Sequence, residues 1–315
     1  MLYGNYSFSC TFEDDAILPE YKGSTFRGAF GHALKRVACA LKRQNCKDCL
    51  LRTQCVYALI FEQSIRHDKT DKKPLIASPP HPYVIEPAMD TQNHYRKGDH
   101  FDFTLILFGK VNEYLPYFIY AIDQMGKIGI GKKIDKKRTS FTLEKVLADG
   151  ILVYAKKEGK INKGAFTKGL TLDRPSRHEL ANTIDLALIT PLRIKYENRL
   201  EADLPFHVLT RAMLRRVASL QQYYGDGEPD LDYQGIVERA KKINTKDTSV
   251  QWFDWKRYSN RQDQTMFMGG MTGEVTYAGD LTEFIPLLQF CEKVHLGKQT
   301  TFGLGRIKVT NIGLD

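Results

Sequence analysis

LTEFIPLLQFCEKVHLGKQTTFGLGRIKVTNI, residues 281–312, reads as a helix to about residue 294, a glycine-rich loop and a closing strand. The first half of the chain carries the same succession. A helical run from Asn112 to Met125 has Pro116 in its first turn and Gly126 as its C-cap. GKIGIGKK (126–133) follows, and SFTLEKVL with ILVYAKK (140–157) forms a hairpin.

Working outward, Tyr6, Phe8, Cys10 and Phe12 alternate with Asn5, Ser7, Ser9 and Thr11, the period of a strand with one buried face. A helix capped by Ser24 then carries Phe26, Ala29, Phe30, Ala33, Leu34, Val37 and Leu41 on one stripe. VYALIFE (56–62) and PYVIE (82–86) read as strands around a polar connection, HDKTDKKP, and FDFTLILFG (101–109) as a further strand. In the second half IDLALITPLRIKYE (184–197) is extended, with helices over 205–222 and about 230–243 and strands near 249–256 and 271–278. Both halves give strand, helix, strands, helix, glycine-rich loop, strand. This βαββαβ order predicts an α+β chain of two tandem ferredoxin-like domains with antiparallel sheets. The expected domains are 1–172 and 173–315, joined within the polar stretch GLTLDRPSRHEL (169–180).

At 315 residues the chain can bury two cores, and 11% aromatic residues argue against disorder. No apolar run reaches the roughly 18–20 residues that span a bilayer, and MLYGNYSFSC lacks the pattern of a signal peptide, so a soluble, cytoplasmic protein is expected. Net charge is 46 − 37 = +9, and residues 127–177 alone hold 14 Lys/Arg against 5 Asp/Glu. Such a block points to a polyanion, nucleic acid ahead of an anionic membrane surface, or to a solvated lysine-rich face.

In GKQTTFGLGR (297–306) glycines let backbone N–H groups approach an anion, Lys298 and Arg306 add charge, and Thr300 and Thr301 add hydroxyls. The loop lies between helix and strand, the reverse of a Walker loop, which disfavours a nucleotide-triphosphate cradle. Its counterpart GKIGIGKK opens the basic block, so the pair predicts binding to a phosphate backbone, with Lys127, Lys132, Lys133, Lys136, Lys137 and Arg138 extending the first loop. Arg27 follows a helix start, where N–H groups favour phosphate. Trp252, Trp255, Arg257, Tyr258 and Arg261 interleave rings and guanidinium groups suited to unpaired bases, although the two tryptophans read better as core. Cys39, Cys46, Cys49 and Cys55 suit tetrahedral zinc in a structural role, with a 4Fe–4S cluster or unligated thiols as alternatives.

The runs TRAMLRRVASLQQYYG, WFDWKRYSNRQ, MGGMTGEVTYAGDL and FIPLLQFCEKVHLGKQTTFGLGRIKV, with YKGSTFRGAFGHALKR and PHPYVIEP, resemble the CRISPR-associated pre-crRNA-processing endoribonucleases. These belong to the RAMP superfamily of tandem ferredoxin-like, RRM-related proteins. The resemblance covers nearly the whole chain. It implies cleavage of CRISPR repeat RNA without a catalytic metal: the 2′-OH attacks the adjacent phosphate and leaves a 2′,3′-cyclic phosphate and a 5′-OH. It further implies a histidine from the first helix, here His32, with Tyr21 before the helix and Lys35 one turn on. His295 is the second candidate, while His81, between prolines, reads as structural. Repeat RNA is the implied partner, with a CRISPR effector complex possible, no membrane, and a monomer or homodimer. The rival reading is a catalytically silent RNA-binding RAMP subunit.

Overall fold

Tyr6, Phe8, Cys10 and Phe12 are all buried along the first strand, β1 (Leu2–Phe12), and the polar residues between them face the other side. The computed structural model describes residues 1–42, 44–62, 79–172, 180–195, 203–259 and 264–314, without the side chains of 255–259, 264–268 and 314. His67, the connection HDKTDKKP and Arg261, and the side chains of Trp255, Arg257 and Tyr258, therefore lie outside the described residues. The chain divides into two units, Met1–Gly169 with Tyr223–Gly225, and Leu170–Gln222 with Asp226–Asp315.

In the first unit β1 is followed by β2 (Ala16–Ile17), α1 (Gly23–Ala38), α2 (Val56–Phe61), β3 (Tyr83–Pro87), β4 (His94–Tyr95), β5 (His100–Phe108) and α3 (Leu115–Ile128). The hairpin β6 (Ile130–Ile134) and β7 (Lys137–Thr139) leads to β8 (Phe141–Ala148), β9 (Ile151–Ala155), β10 (Lys160–Ile161) and β11 (Lys168–Gly169). The main sheet runs β10-β9-β8-β1-β5-β3, and its pairings are antiparallel. The central β8-β1-β5-β3 order is the ferredoxin-like one. Phe8 stacks on its cross-strand partner Phe103 with ring centroids 5.1 Å apart. From α1, Phe26 meets Phe101 and Phe103 at 5.8 and 5.2 Å, and Phe30 meets Phe118 of α3 at 5.8 Å, so both helices share one core.

Three local expectations are corrected here. VYALIFE is not a strand: Val56–Phe61 is helical because only i, i+4 spacing lets Tyr57 and Phe61 stack, at 5.3 Å, on the side facing α1. Ser24 does not cap α1, which starts at Gly23 behind Lys22 with no side-chain cap, and ends at Ala38, before Leu41. Gly126 is not a C-cap but an interior residue of α3, where a Cβ would lie 2.2 Å from the Phe141 carbonyl oxygen of β8; Gly129, at φ +83°, is the cap.

The second unit runs β12 (Ala181–Leu192), α4 (Phe206–Tyr224), α5 (Tyr233–Ala240), β13 (Asn244–Thr248), β14 (Gln251–Ser259), β15 (Gln264–Ala278), α6 (Ile285–Val294) and β16 (Ile307–Leu314). The sheet order β13-β15-β12-β16 repeats the ferredoxin-like arrangement, with β14 paired to the first part of β15. Leu209, Met213, Val217 and Leu220 of α4 are buried, and Phe206 packs edge-on against Tyr277 and Phe284 at 4.8 and 4.9 Å. No helix among the described residues is long and apolar enough to cross a membrane.

Candidate functional site

Helical spacing places Thr25, Gly28, His32 and Arg36 on the outer face of α1, opposite the buried Phe26, Phe30, Ala33 and Leu34. His32 and Arg36 are exposed. Lys35, three residues after His32, lies beside that face with its ammonium 5.3 Å from the ring centroid of Tyr57 in α2. Tyr57 in turn stacks on Phe61, so α2 supports the Lys35 side of the site. An exposed imidazole beside a cation can accept a proton from a hydroxyl and offset charge on phosphate.

Tyr21 sits differently. Burial, and behind it the charge of Glu86, push its phenol well above the ordinary tyrosine range, so it stays protonated. Arg27 does not present a free guanidinium for phosphate: it lies 5.3 Å from the Phe61 ring centroid and against Tyr83. Burial raises the Tyr83 hydroxyl and the Arg27 charge opposes the shift. The arginine therefore belongs to the seam between α1, α2 and β3.

GKIGIGKK proves to be the end of α3, its cap and β6 rather than a phosphate loop. Asp135 and Lys136, at φ +48° and +67°, make the tight turn that joins β6 to β7. Lys132, Lys133, Lys136, Lys137 and Arg138 are all exposed on this hairpin. Lys127 is apart from them, paired with Asp123 at 2.8 Å within α3.

The C-terminal glycine-rich loop is built by backbone geometry. Gly297, Gly303 and Gly305 have φ of +79°, +84° and +72°, and a Cβ at Gly305 would lie 1.8 Å from the Leu296 carbonyl oxygen. Gly305 N–H donates to Pro191 O at 3.1 Å, Lys298 N–H to Arg193 O at 2.9 Å, and Thr190 Oγ1 donates to Gly303 O at 2.9 Å. The loop is thus bound to the end of β12. Lys298 is exposed and Arg306 half-buried, whereas Thr300 and Thr301 are 8% and 6% exposed. His295 is corrected as a catalytic candidate: it is 0% exposed, with Nδ1 3.0 Å from Leu304 O. Arg216, which the sequence reading passed over, donates from Nε to His295 O and from Nη2 to Val294 O, closing the end of α6. His81 is structural, its Nδ1 2.9 Å from Ile60 O.

The four clustered cysteines are half-exposed thiols, and no group of three or more His, Cys, Asp or Glu among the described residues is arranged to hold a metal ion. The zinc or 4Fe–4S expectation therefore finds no assembled donor set here.

The comparisons follow the same division. A family model described as an N-terminal domain (AF_1859_N) matches residues 1–166, and the model of the CRISPR-associated endoribonuclease Cas6 matches residues 186–307. The chain therefore belongs to the family of the AF_1859_N N-terminal domain, and most of its second unit is similar to the Cas6 endoribonucleases. An uncharacterized protein of Archaeoglobus fulgidus is 24% identical over 299 residues, spanning 93% of this chain and 92% of that one. Thermus thermophilus Cas6 superposes with a TM-score of 0.54 at 13% identity over 98% of each chain. A chain of a partial Cas6–RT–Cas1–Cas2 complex gives 0.60 at 15% identity, covering all of this chain and 48% of that one. At such identities these structures establish the fold, tandem ferredoxin-like domains.

Proposed function

We propose that the chain cuts CRISPR repeat RNA by internal transesterification. His32 takes the proton of the ribose 2′-OH as the oxygen attacks the neighbouring phosphorus. The bond from phosphorus to O5′ breaks, O5′ takes a proton from water, and the products are a 2′,3′-cyclic phosphate and a 5′-OH end. Lys35 lies beside the site as the cation that offsets charge on the phosphorane. Tyr21, with its phenol held protonated, is the third member of this reading, as a hydrogen-bond donor. The exposed hairpin lysines 132, 133, 136 and 137, with Arg257, Arg261, Lys298 and Arg306, are assigned to the RNA backbone. The observation that carries the reading is the exposed His32 on the outer face of α1 beside Lys35.

The test is incubation with CRISPR repeat RNA in EDTA, beside a substrate with a 2′-deoxy substitution at the cut. A single cut that the deoxy substitution abolishes is expected. His32→Ala should slow cleavage by about 10²–10⁴-fold, the usual worth of general acid–base catalysis, with RNA affinity within a few-fold of the parent. Binding without a cut would instead make the chain a silent RNA-binding subunit.

A further inference from the structure

Beyond Gly23 at its first position, α1 holds two glycines, and packing explains one. A Cβ at Gly31 would meet the Phe61 ring at 2.8 Å, so the approach of α2 requires glycine there. Gly28 is different. It is exposed, its φ is in the ordinary helical range, and a Cβ built on it meets nothing within 4 Å among the described residues. Alanine would fit at 28 and favour the helix, because glycine gives up more backbone freedom than any other residue on folding. The described residues of this unit therefore give no packing reason for glycine at this mid-helix position.

Its neighbours supply one. His32 is four residues on, on the same face, and a helical Cα–Cβ bond tilts toward the N-terminus. The His32 side chain consequently stands over the turn that contains Gly28. Below it is bare helix backbone; beyond it, at the end of α1, are Lys35 and Arg36. The result is a shallow notch with an imidazole at its edge, open to solvent and without a side chain of its own.

We propose that Gly28 is a specificity-determining position, whose missing side chain lets the ribose at the scissile linkage lie against α1 beneath His32. This rests on the cleavage reading given above. A sugar edge is compact and uncharged and offers a hydroxyl, so it needs room rather than a partner at position 28. A methyl group there would lift the 2′-OH away from the imidazole, and a larger side chain would exclude the strand.

Gly28→Ala and Gly28→Leu test this, both being better helix formers than the parent. Each variant is melted, and its affinity is measured for repeat RNA carrying a 2′-deoxy substitution at the cut. Single-turnover cleavage of the all-ribose RNA is measured alongside. The alanine variant should melt about 2–4 °C higher. It should cleave roughly tenfold slower, and the leucine variant roughly a hundredfold slower, the scale of loss when reacting groups are displaced by about an ångström. A leucine variant that binds and cleaves within twofold of the parent overturns the proposal. Should the parent bind repeat RNA without cutting it, the cleavage reading fails by itself. A loss of affinity graded from alanine to leucine would then still support the notch, and equal affinities would end it.

Discussion

Lys22 is 1% exposed, yet its ammonium is well supplied: Nζ donates to Asp90 Oδ1 at 2.9 Å, to Asp90 O at 3.0 Å and to Glu20 O at 3.3 Å. The Tyr95 ring centroid lies 5.9 Å away. Partial burial pushes the Asp90 carboxyl up, but the Lys22 hydrogen bond and charge, with bonds from Tyr95 and the Gln92 N–H, outweigh it and hold the group below the usual carboxylate range. A depressed carboxylate contributes stability above its unfolded pKa, near 4, and loses it as pH falls through the folded value. Asp90 is 43% exposed, which discounts the pair. Asp90→Asn should therefore cost about 1–2 kcal/mol at pH 7 in urea unfolding, and the gap from the parent should shrink toward pH 3. A gap that stays constant with pH would remove the ionic account. Single residues were also where the sequence was least legible. His32 and His295 both sit beside motifs, and only burial separates an exposed imidazole from one that braces a loop.

At the scale of elements, the β6–β7 hairpin carries the exposed part of the basic block. Four of its lysines are solvated, so their worth is electrostatic and should appear as salt dependence rather than stability. Replacing Lys132, Lys133, Lys136 and Lys137 with alanine should leave the circular dichroism unchanged and weaken RNA binding. The slope of log K against log salt should fall by up to about 3, at roughly 0.7 per phosphate contact on a single strand. Parallel lines for parent and variant would separate the hairpin from RNA. Strands with alternating burial, such as β1 and β8, were legible in the sequence because one face must be apolar. Two elements were not. α2 has the composition of a strand and is helical because of its ring contacts with α1, while β13, NTKDT, is exposed throughout and is defined by its register on β15. The hairpin was hidden for a related reason: its glycines resemble those of the C-terminal loop, but here they cap α3 and allow β6 to turn.

At the scale of the whole molecule, the repeated βαββαβ order was readable because each half needs its own apolar face, and each unit accordingly has its own sheet and core. Both tryptophans, Trp252 and Trp255, fall in the second unit, so their fluorescence reports that unit alone while far-UV circular dichroism reports both. Cores that are separate in this way need not melt together, and a chain of this size is outside the range where two-state unfolding is the rule. Phe30 supplies the test. It is 2% exposed and packs against Phe61, Tyr83 and Phe118 in the first unit. Phe30→Ala should cost about 3–5 kcal/mol of that unit's stability. In guanidinium titrations the variant should show an earlier transition by circular dichroism, while the tryptophan midpoint stays at the parent's value. A tryptophan midpoint that moves with the circular dichroism would show instead that the two cores unfold as one cooperative body, and that the sequence repeat divides the fold but not its stability.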